Sequence, residues 1–204
     1  NGSVIMYVDR RSLDRMSGAA NHQGVILRTS PVERLTLPGW IKKTKQTSNL
    51  LVLVLDGVQD PGNLGAIFRS AAAARVDGIV FPKKGTAPLG STAMKTSAGA
   101  LTAVDAIQVT NLRAALSELK KDGFFVLGLS EKAEKSIINT ERRGRLAIVV
   151  GSEDKGIRPV NRKECDDLIS IPMTGPAGSL NVSAAVAVVL YELVRFQITA
   201  GHEE

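Results

Sequence analysis

Six polar side chains in three glycine-punctuated loops carry most of the chemistry this sequence could do. Asn63 and Arg69 lie in DGVQDPGNLGAIFRSA, Glu153 in VVGSEDKGIRP, and Ser179, Asn181 and Ser183 in PMTGPAGSLNVSAA. Amides and hydroxyls donate and accept hydrogen bonds, a carboxylate accepts, and a guanidinium donates in a planar fork without losing its charge. The set is not a nucleophilic triad, because His22 and His202 are far apart and neither lies near a strand-end loop. The single cysteine, Cys165, sits in the charged segment NRKECDDL and reads as structural or incidental. Neither GxxxxGK[ST] nor a GxGxxG behind the first strand is present, which weighs against ATP and NAD.

Each loop also has a plainer explanation. Asp60 and Pro61 are a standard helix start, Glu153 can cap the segment that follows it, and Ser179 can cap the final helix. Capping does not account for Arg69. It follows Phe68 in a small, apolar stretch where a cation needs a partner. On one helix Asn63 and Arg69 would point about 120° apart, so a shared site requires Asn63 on the loop leading in. The stretch GPAGSL bares backbone that can press against a flat ligand.

The elements that must position these loops are regular from residue 50 onward. LLVLVLD, DGIVF, FFVLGLS, RLAIVVG and LISIPM read as strands. Helices are expected at PGNLGAIFRSAAAARV, STAMKTSAGAL and NLRAALSELKKDG, briefly around NRKECD, and over 181–198. The alternation predicts an α/β fold, a mostly parallel sheet with helices on both faces. Ligands of such sheets sit beyond the carboxyl ends of the strands, here the loops 57–63, 128–135, 151–158 and 172–181. Before residue 50, VIMYV at 4–8 and HQGVILRT at 22–29 read as strands, RRSLDRMSG as a helix stopped by Gly18, and LPGWIKKTKQTSN as a connection with a turn or two of helix. Residues 1–21 read as the tail of a preceding domain, or as a simple arm. Residues 22–49 link to the main domain at 50–204.

Composition narrows the partners. There are 26 Lys and Arg against 20 Asp and Glu, a formal charge of +6, which favours a polyanion. The clusters are Lys42, Lys43 and Lys45; Lys83 and Lys84; and Arg142, Arg143 and Arg145. Aromatic residues are 4% of the chain, too few for a base-stacking platform, so a nucleic acid would be held through phosphates and shape. One cysteine and two separated histidines argue against a disulfide framework and a structural metal, and point to a reducing, cytoplasmic setting. No apolar run approaches the roughly 20 residues of a membrane span. In the last helix Val182, Val186, Val189, Leu190 and Leu193 form one apolar stripe, while Ala184, Ala187, Val188 and Tyr191 populate other sides. A helix apolar nearly all round is buried on more than one face, which predicts a homodimer.

Taken in order, LDGVQDPGNLGAIFRSA, IVVGSEDKGI and IPMTGPAGSLNVSAAVAVVLYE resemble the three signature motifs of the SpoU/TrmH class of RNA 2'-O-ribose methyltransferases, in the SPOUT superfamily. HQGV at 22–25 and KTSAGAL at 95–101 are similar to those of the bacterial ribosomal RNA guanosine-2'-O-methyltransferase subgroup. The resemblance implies a C-terminal trefoil knot and a small N-terminal RNA-binding domain, of which 1–21 would be the remnant. It implies S-adenosyl-L-methionine as cofactor, held by main-chain groups around Leu127, Gly128, Gly151, Ile171, Ser179 and Leu180. It gives Arg69 the central role, gripping an RNA phosphate and stabilising alkoxide charge, with Asn63, Glu153, Asn181 and Ser183 orienting Arg69 and the ribose. Ribosomal RNA is the favoured substrate, transfer RNA the alternative, and an RNA-binding assembly protein without activity the rival from another class.

Overall fold

The computed structural model describes residues 4–18, 22–28, 30–140, 144–176 and 178–200, without the side chains of 139 and 196–200. The chain divides into two units, Asn1–Pro31 and Val32–Glu204.

In the first unit the helix α1 (Arg10–Ser17) is capped by Asp9, which accepts from the Ser12 N–H, and ends at Gly18 with φ +63°. The two strands expected here do not form. Residues 4–8 have no ladder partner among the described residues, and Val4, Ile5, Met6 and Tyr7 are all more than three-quarters exposed. Residues 22–28 are irregular, held by the Gly24 N–H donating to His22 Nδ1 and by His22 Nε2 at 3.0 Å from Asp14 Oδ1. An apolar run becomes a strand only where a neighbouring edge completes its hydrogen bonds.

The second unit runs β1 (Arg34–Leu35), α2 (Leu37–Lys43), β2 (Leu50–Asp56), α3 (Pro61–Ala73), β3 (Gly78–Pro82), α4 (Ser91–Ser97), β4 (Asp105–Val109) and α5 (Leu112–Lys121). It continues with β5 (Phe125–Leu129), β6 (Lys135–Ser136), β7 (Arg145–Gly151), α6 (Pro159–Arg162), β8 (Asp167–Ser170) and α7 (Val182–Ala200). The strand order is β1-β4-β3-β2-β7-β5-β8-β6. Every described pairing between these strands is parallel.

All seven residues of β2 are buried, and alternate side chains feed two cores. Leu51, Leu53 and Leu55 join Leu64, Ile67 and Phe68 of α3 and Val186, Val189, Leu190 and Leu193 of α7. Leu50, Val52 and Val54 join Trp40 of α2, Leu112, Leu116 and Leu119 of α5, and Phe124. Helices therefore cover both faces of a parallel sheet, the architecture expected. Close packing demands glycine at position 65, where a Cβ would lie 1.9 Å from Thr96 Oγ1 and 2.5 Å from the Ala93 carbonyl oxygen, bringing α4 hard against α3.

The sheet divides between β2 and β7. From β2 the strands proceed to β3 and β4 on one side, and from β7 to β5 and β8 on the other. In register, Asp56 at the end of β2 pairs with Gly151 at the end of β7. The carboxyl ends on either side of that divide are where a parallel sheet offers a crevice.

Candidate functional site

A cleft of about 620 Å³ opens over the carboxyl ends of β7, β5 and β8. That is inside the range of roughly 300–1,000 Å³ for small-molecule sites. Three strand-end segments build it: Leu129–Lys132, Val150–Ile157 and Ser170–Met173, closed by Gly178–Leu180 and the first turns of α7. Gly151, Ile171, Ser179 and Leu180 are all on its lining. Leu127 and Gly128 lie one step back on β5, where Leu129 lines the cleft instead. Gly128 is packed from above, since a Cβ there would meet Leu168, Cys165 and Ile157 at 2.7–3.0 Å.

The tightest approach at Gly151 comes from the protein itself. A Cβ at that position would lie 1.9 Å from the Gly156 carbonyl carbon and 2.2 Å from the Ile157 nitrogen. The loop after β7 folds back over Gly151, held by reciprocal bonds between Ser152 and Gly156, N···O 3.2 and 2.9 Å. At Gly175 and Gly178 a Cβ would meet nothing within 4 Å. The third loop is open at both positions, and Gly178 lines the cleft while Gly175 does not.

Next to the cleft runs a directed chain of hydrogen bonds. The Ser183 hydroxyl and backbone N–H donate to Asn181 Oδ1 at 2.6 and 2.9 Å, and Asn181 Nδ2 donates to Asn63 Oδ1 at 3.1 Å. Asn63 Nδ2 donates in turn to Glu153 Oε1 at 2.5 Å. Among the described residues no donor reaches the second oxygen of Glu153. Local structure explains each position. Asp60 Oδ1 accepts from the Asn63 N–H and starts α3, with Pro61 in its first turn. Asn63 thus sits inside the first helical turn and not on the loop before it. Asn181, in place of Ser179, caps α7, because its side chain accepts from the Ser183 N–H and its carbonyl from the Ala185 N–H.

Arg69 stands outside this chain. It is exposed on α3, two turns beyond Asn63, and is absent from the cleft lining. Water supplies the solvation that a buried cation would have needed from a partner. The four hydrogen-bonded side chains have one another as partners and not Arg69.

Two features escaped sequence reading. Asp56, fully buried at the end of an otherwise apolar strand, accepts from the Arg158 backbone N–H at 2.8 Å and from Arg158 Nε at 2.6 Å. The charge that ends LLVLVLD was the only signal, and its partner is 102 residues away. The other is structural use of charge. Lys43 pairs with Asp105 at 2.7 Å, and Arg145 pairs with Asp122 at 3.0 Å and lies over the Phe124 ring. Lys42, Lys45, Lys83 and Lys84 remain exposed, while Arg142, Arg143 and His202 lie outside the described residues. Cys165 lies between α6 and β8, and burial pushes its thiol up to about 11. Such a thiol is a poor nucleophile. Among the described residues no group of three His, Cys, Asp or Glu side chains is placed to hold a metal ion, and no helix is long and apolar enough to cross a membrane.

Residues 50–191 match the SpoU rRNA Methylase family, and residues 1–35 match the family described as RNA 2'-O ribose methyltransferase substrate binding. The chain is 42% identical over 197 residues to the 23S rRNA (guanosine-2'-O-)-methyltransferase RlmB of Escherichia coli K12, covering 95% of this chain and 80% of that one. It superposes on the SpoU methyltransferase AviRb of Streptomyces viridochromogenes, solved with AdoMet, with a TM-score of 0.68 and 27% identity over 74% of this chain and 59% of that one. An AdoMet-bound rRNA methyltransferase from Sinorhizobium meliloti shares the fold, with a TM-score of 0.77 at 22% identity over 96% and 73%.

Proposed function

The chain belongs to the SpoU rRNA Methylase family, and we propose that it transfers a methyl group from S-adenosyl-L-methionine to the ribose 2'-hydroxyl of a guanosine in 23S ribosomal RNA. One observation carries the reading: Glu153 both lines the cleft and ends the chain of hydrogen bonds. A cofactor in the cleft and a sugar held by the chain would meet there.

The cleft suits the cofactor. Leu129, Val150, Ile157, Ile171, Leu180 and Val182 offer apolar walls for an adenosine, and Ser130, Glu131, Lys132 and Arg162 offer polar groups for an amino acid. When bound, S-adenosyl-L-methionine supplies a methyl carbon made electrophilic by its sulfonium. The protein then has to deliver the nucleophile. Asn63 and Asn181 hold the ribose, Ser183 fixes the orientation of Asn181, and the open oxygen of Glu153 accepts the hydrogen of the 2'-hydroxyl. Glu153 would hold that proton as the hydroxyl oxygen took the methyl group, which the bound cofactor would supply. Arg69 reaches the RNA from its exposed place on α3, grips a phosphate and steadies the developing charge on oxygen.

Assembly and surroundings follow the same reading. Ala184, Val188 and Tyr191 make an exposed stripe along α7, at the four- and three-residue spacing of one helix face, with Val188 42% and Tyr191 65% exposed. This stripe is the homodimer contact, and Tyr191→Asp should sediment as a monomer where the native protein is dimeric. A monomeric native protein at micromolar concentration overturns the dimer. The C-terminal strands and α7 form the trefoil knot of the superfamily, residues 1–21 belong to an RNA-binding domain, 50–204 to the methyltransferase domain, and the setting is the cytoplasm. The decisive test supplies labelled cofactor and unmodified ribosomal RNA and maps the product. Methyl on a guanosine 2'-oxygen is expected. No incorporation, or methyl on a base, overturns the proposal.

A further inference from the structure

The loop after β7 is anchored on both faces of the sheet. Leu55, one residue before the end of β2, points into the core beneath α3 and α7, and Asp56 points the opposite way, with Val54 toward the α2 and α5 side. On the first face Glu153 is tied to Asn63 of α3. On the second, Arg158 is tied to Asp56 by its backbone N–H and its Nε. Between the anchors lie Asp154–Ile157, which with Ser152 and Glu153 fold over Gly151, and all six residues line the cleft.

The two anchors differ in kind. Glu153 and Asn63 meet in solvent, at the place where the sugar would be held. The Asp56 side chain is 0% exposed, so its carboxylate was taken out of water to hold the loop, while half of the Arg158 side chain stays outside. A buried carboxylate with two charge-assisted bonds is a rigid attachment. Arg158 does not line the cleft.

We propose that Asp56 and Arg158 are positioning residues which set cofactor affinity, by fixing the wall Ser152–Ile157, while the opposite anchor at Glu153 governs transfer. The inference rests on the methyltransferase reading. Its measurement is S-adenosyl-L-methionine binding by calorimetry, well below the unfolding temperature of each variant, with kcat and KM for cofactor taken in parallel.

Arg158→Ala removes the guanidinium from a half-exposed site and keeps the backbone bond, but it strands the buried Asp56 carboxylate, so its thermal unfolding is measured before binding. It should weaken cofactor binding on the order of tenfold, the size of a lost charge-assisted bond, and raise KM for cofactor in step while kcat changes less than about threefold. Arg158→Lys can still reach Asp56 and should recover part of the affinity. Asp56→Asn should weaken binding like Arg158→Ala, and the two changes together should cost no more than the larger one alone. Glu153→Ala should do the reverse, lowering kcat far more than affinity. Variants that fold and bind cofactor as the native protein does overturn the proposal, as does an equal loss of affinity in Arg158→Lys and Arg158→Ala. A native protein that binds no S-adenosyl-L-methionine overturns the methyltransferase reading itself, so the two failures are distinct.

Discussion

The rim of the cleft and the outer shoulder of α3 are built on opposite principles. The rim is self-sufficient: Gly151 is roofed by its own loop, Asn181 caps a helix while bonding to Asn63, and Glu153 and Arg158 tie the wall down on two sides. The shoulder is unfinished. Arg69 stands exposed, with no hydrogen-bond or ion-pair partner among the described residues, although it lies on the same helix as Asn63. A small molecule has to be held by what the protein already provides, and preformed geometry lowers the cost of ordering. A polyanion brings its own charge to the meeting, and a cation left in water keeps its freedom until then.

Four experiments would break or sharpen that contrast. The largest effect should come from Arg69→Ala, which should lower methylation on the order of a hundredfold. Cofactor affinity should stay within about twofold, because Arg69 is off the lining. A marked loss of cofactor binding would erase the distinction between the regions. Gly151→Ala comes next. Its Cβ has no room below Gly156, so the wall must shift, costing about 1–3 kcal/mol of stability and loosening cofactor binding, with RNA affinity retained. Denaturant titration and calorimetry would measure both, and a stable variant with native affinity would contradict the roof.

Asn181→Ala is smaller in stability. Losing the cap should cost about 1 kcal/mol, a fall of roughly 2–4 °C in Tm for a unit of this size. Methylation should fall further than stability accounts for, since the chain to Asn63 and Glu153 is cut. The smallest effect lies at Cys165. Burial keeps the folded thiol neutral to about 11, against an ordinary 9.0. The unfolded chain therefore releases its proton first as pH rises. Stability from this group is complete below about 9 and is lost between about 9 and about 11, a loss that Cys165→Ala should remove from the pH profile. Below that window, alkylation of the native protein should be slow.

Much of the second unit was legible because its strands are long and wholly apolar. LLVLVLD and RLAIVVG became β2 and β7 with their ends where the sequence placed them. DAIQV was passed over, because Asp105 and Gln108 interrupt the apolar signal, and yet it forms β4. Its polar residues have their own work: Asp105 accepts from Trp40 Nε1 and Lys43, and Gln108 from Arg34. β1 and β6, two residues each, are too short to carry a period. VIMYV is apolar throughout and still formed no ladder among the described residues. The side chains of the hydrogen-bond chain could be named from motif resemblance. Their order could not, since Asn63, Glu153 and Asn181 meet only through the folded sheet, and the Asp56–Arg158 tie is longer-range still.

The pairing of β2 with β7 sets a timetable for birth of the molecule. Leu50 leaves the ribosome well before its partner Arg145, which comes only after most of the sheet's other strands. Until then one flank of the most apolar strand is open, and such a delayed parallel pairing is slow to close. Nascent chains arrested before residue 145 should therefore lean on a chaperone, and those released past residue 193, once α7 can seal Leu53 and Leu55, should not.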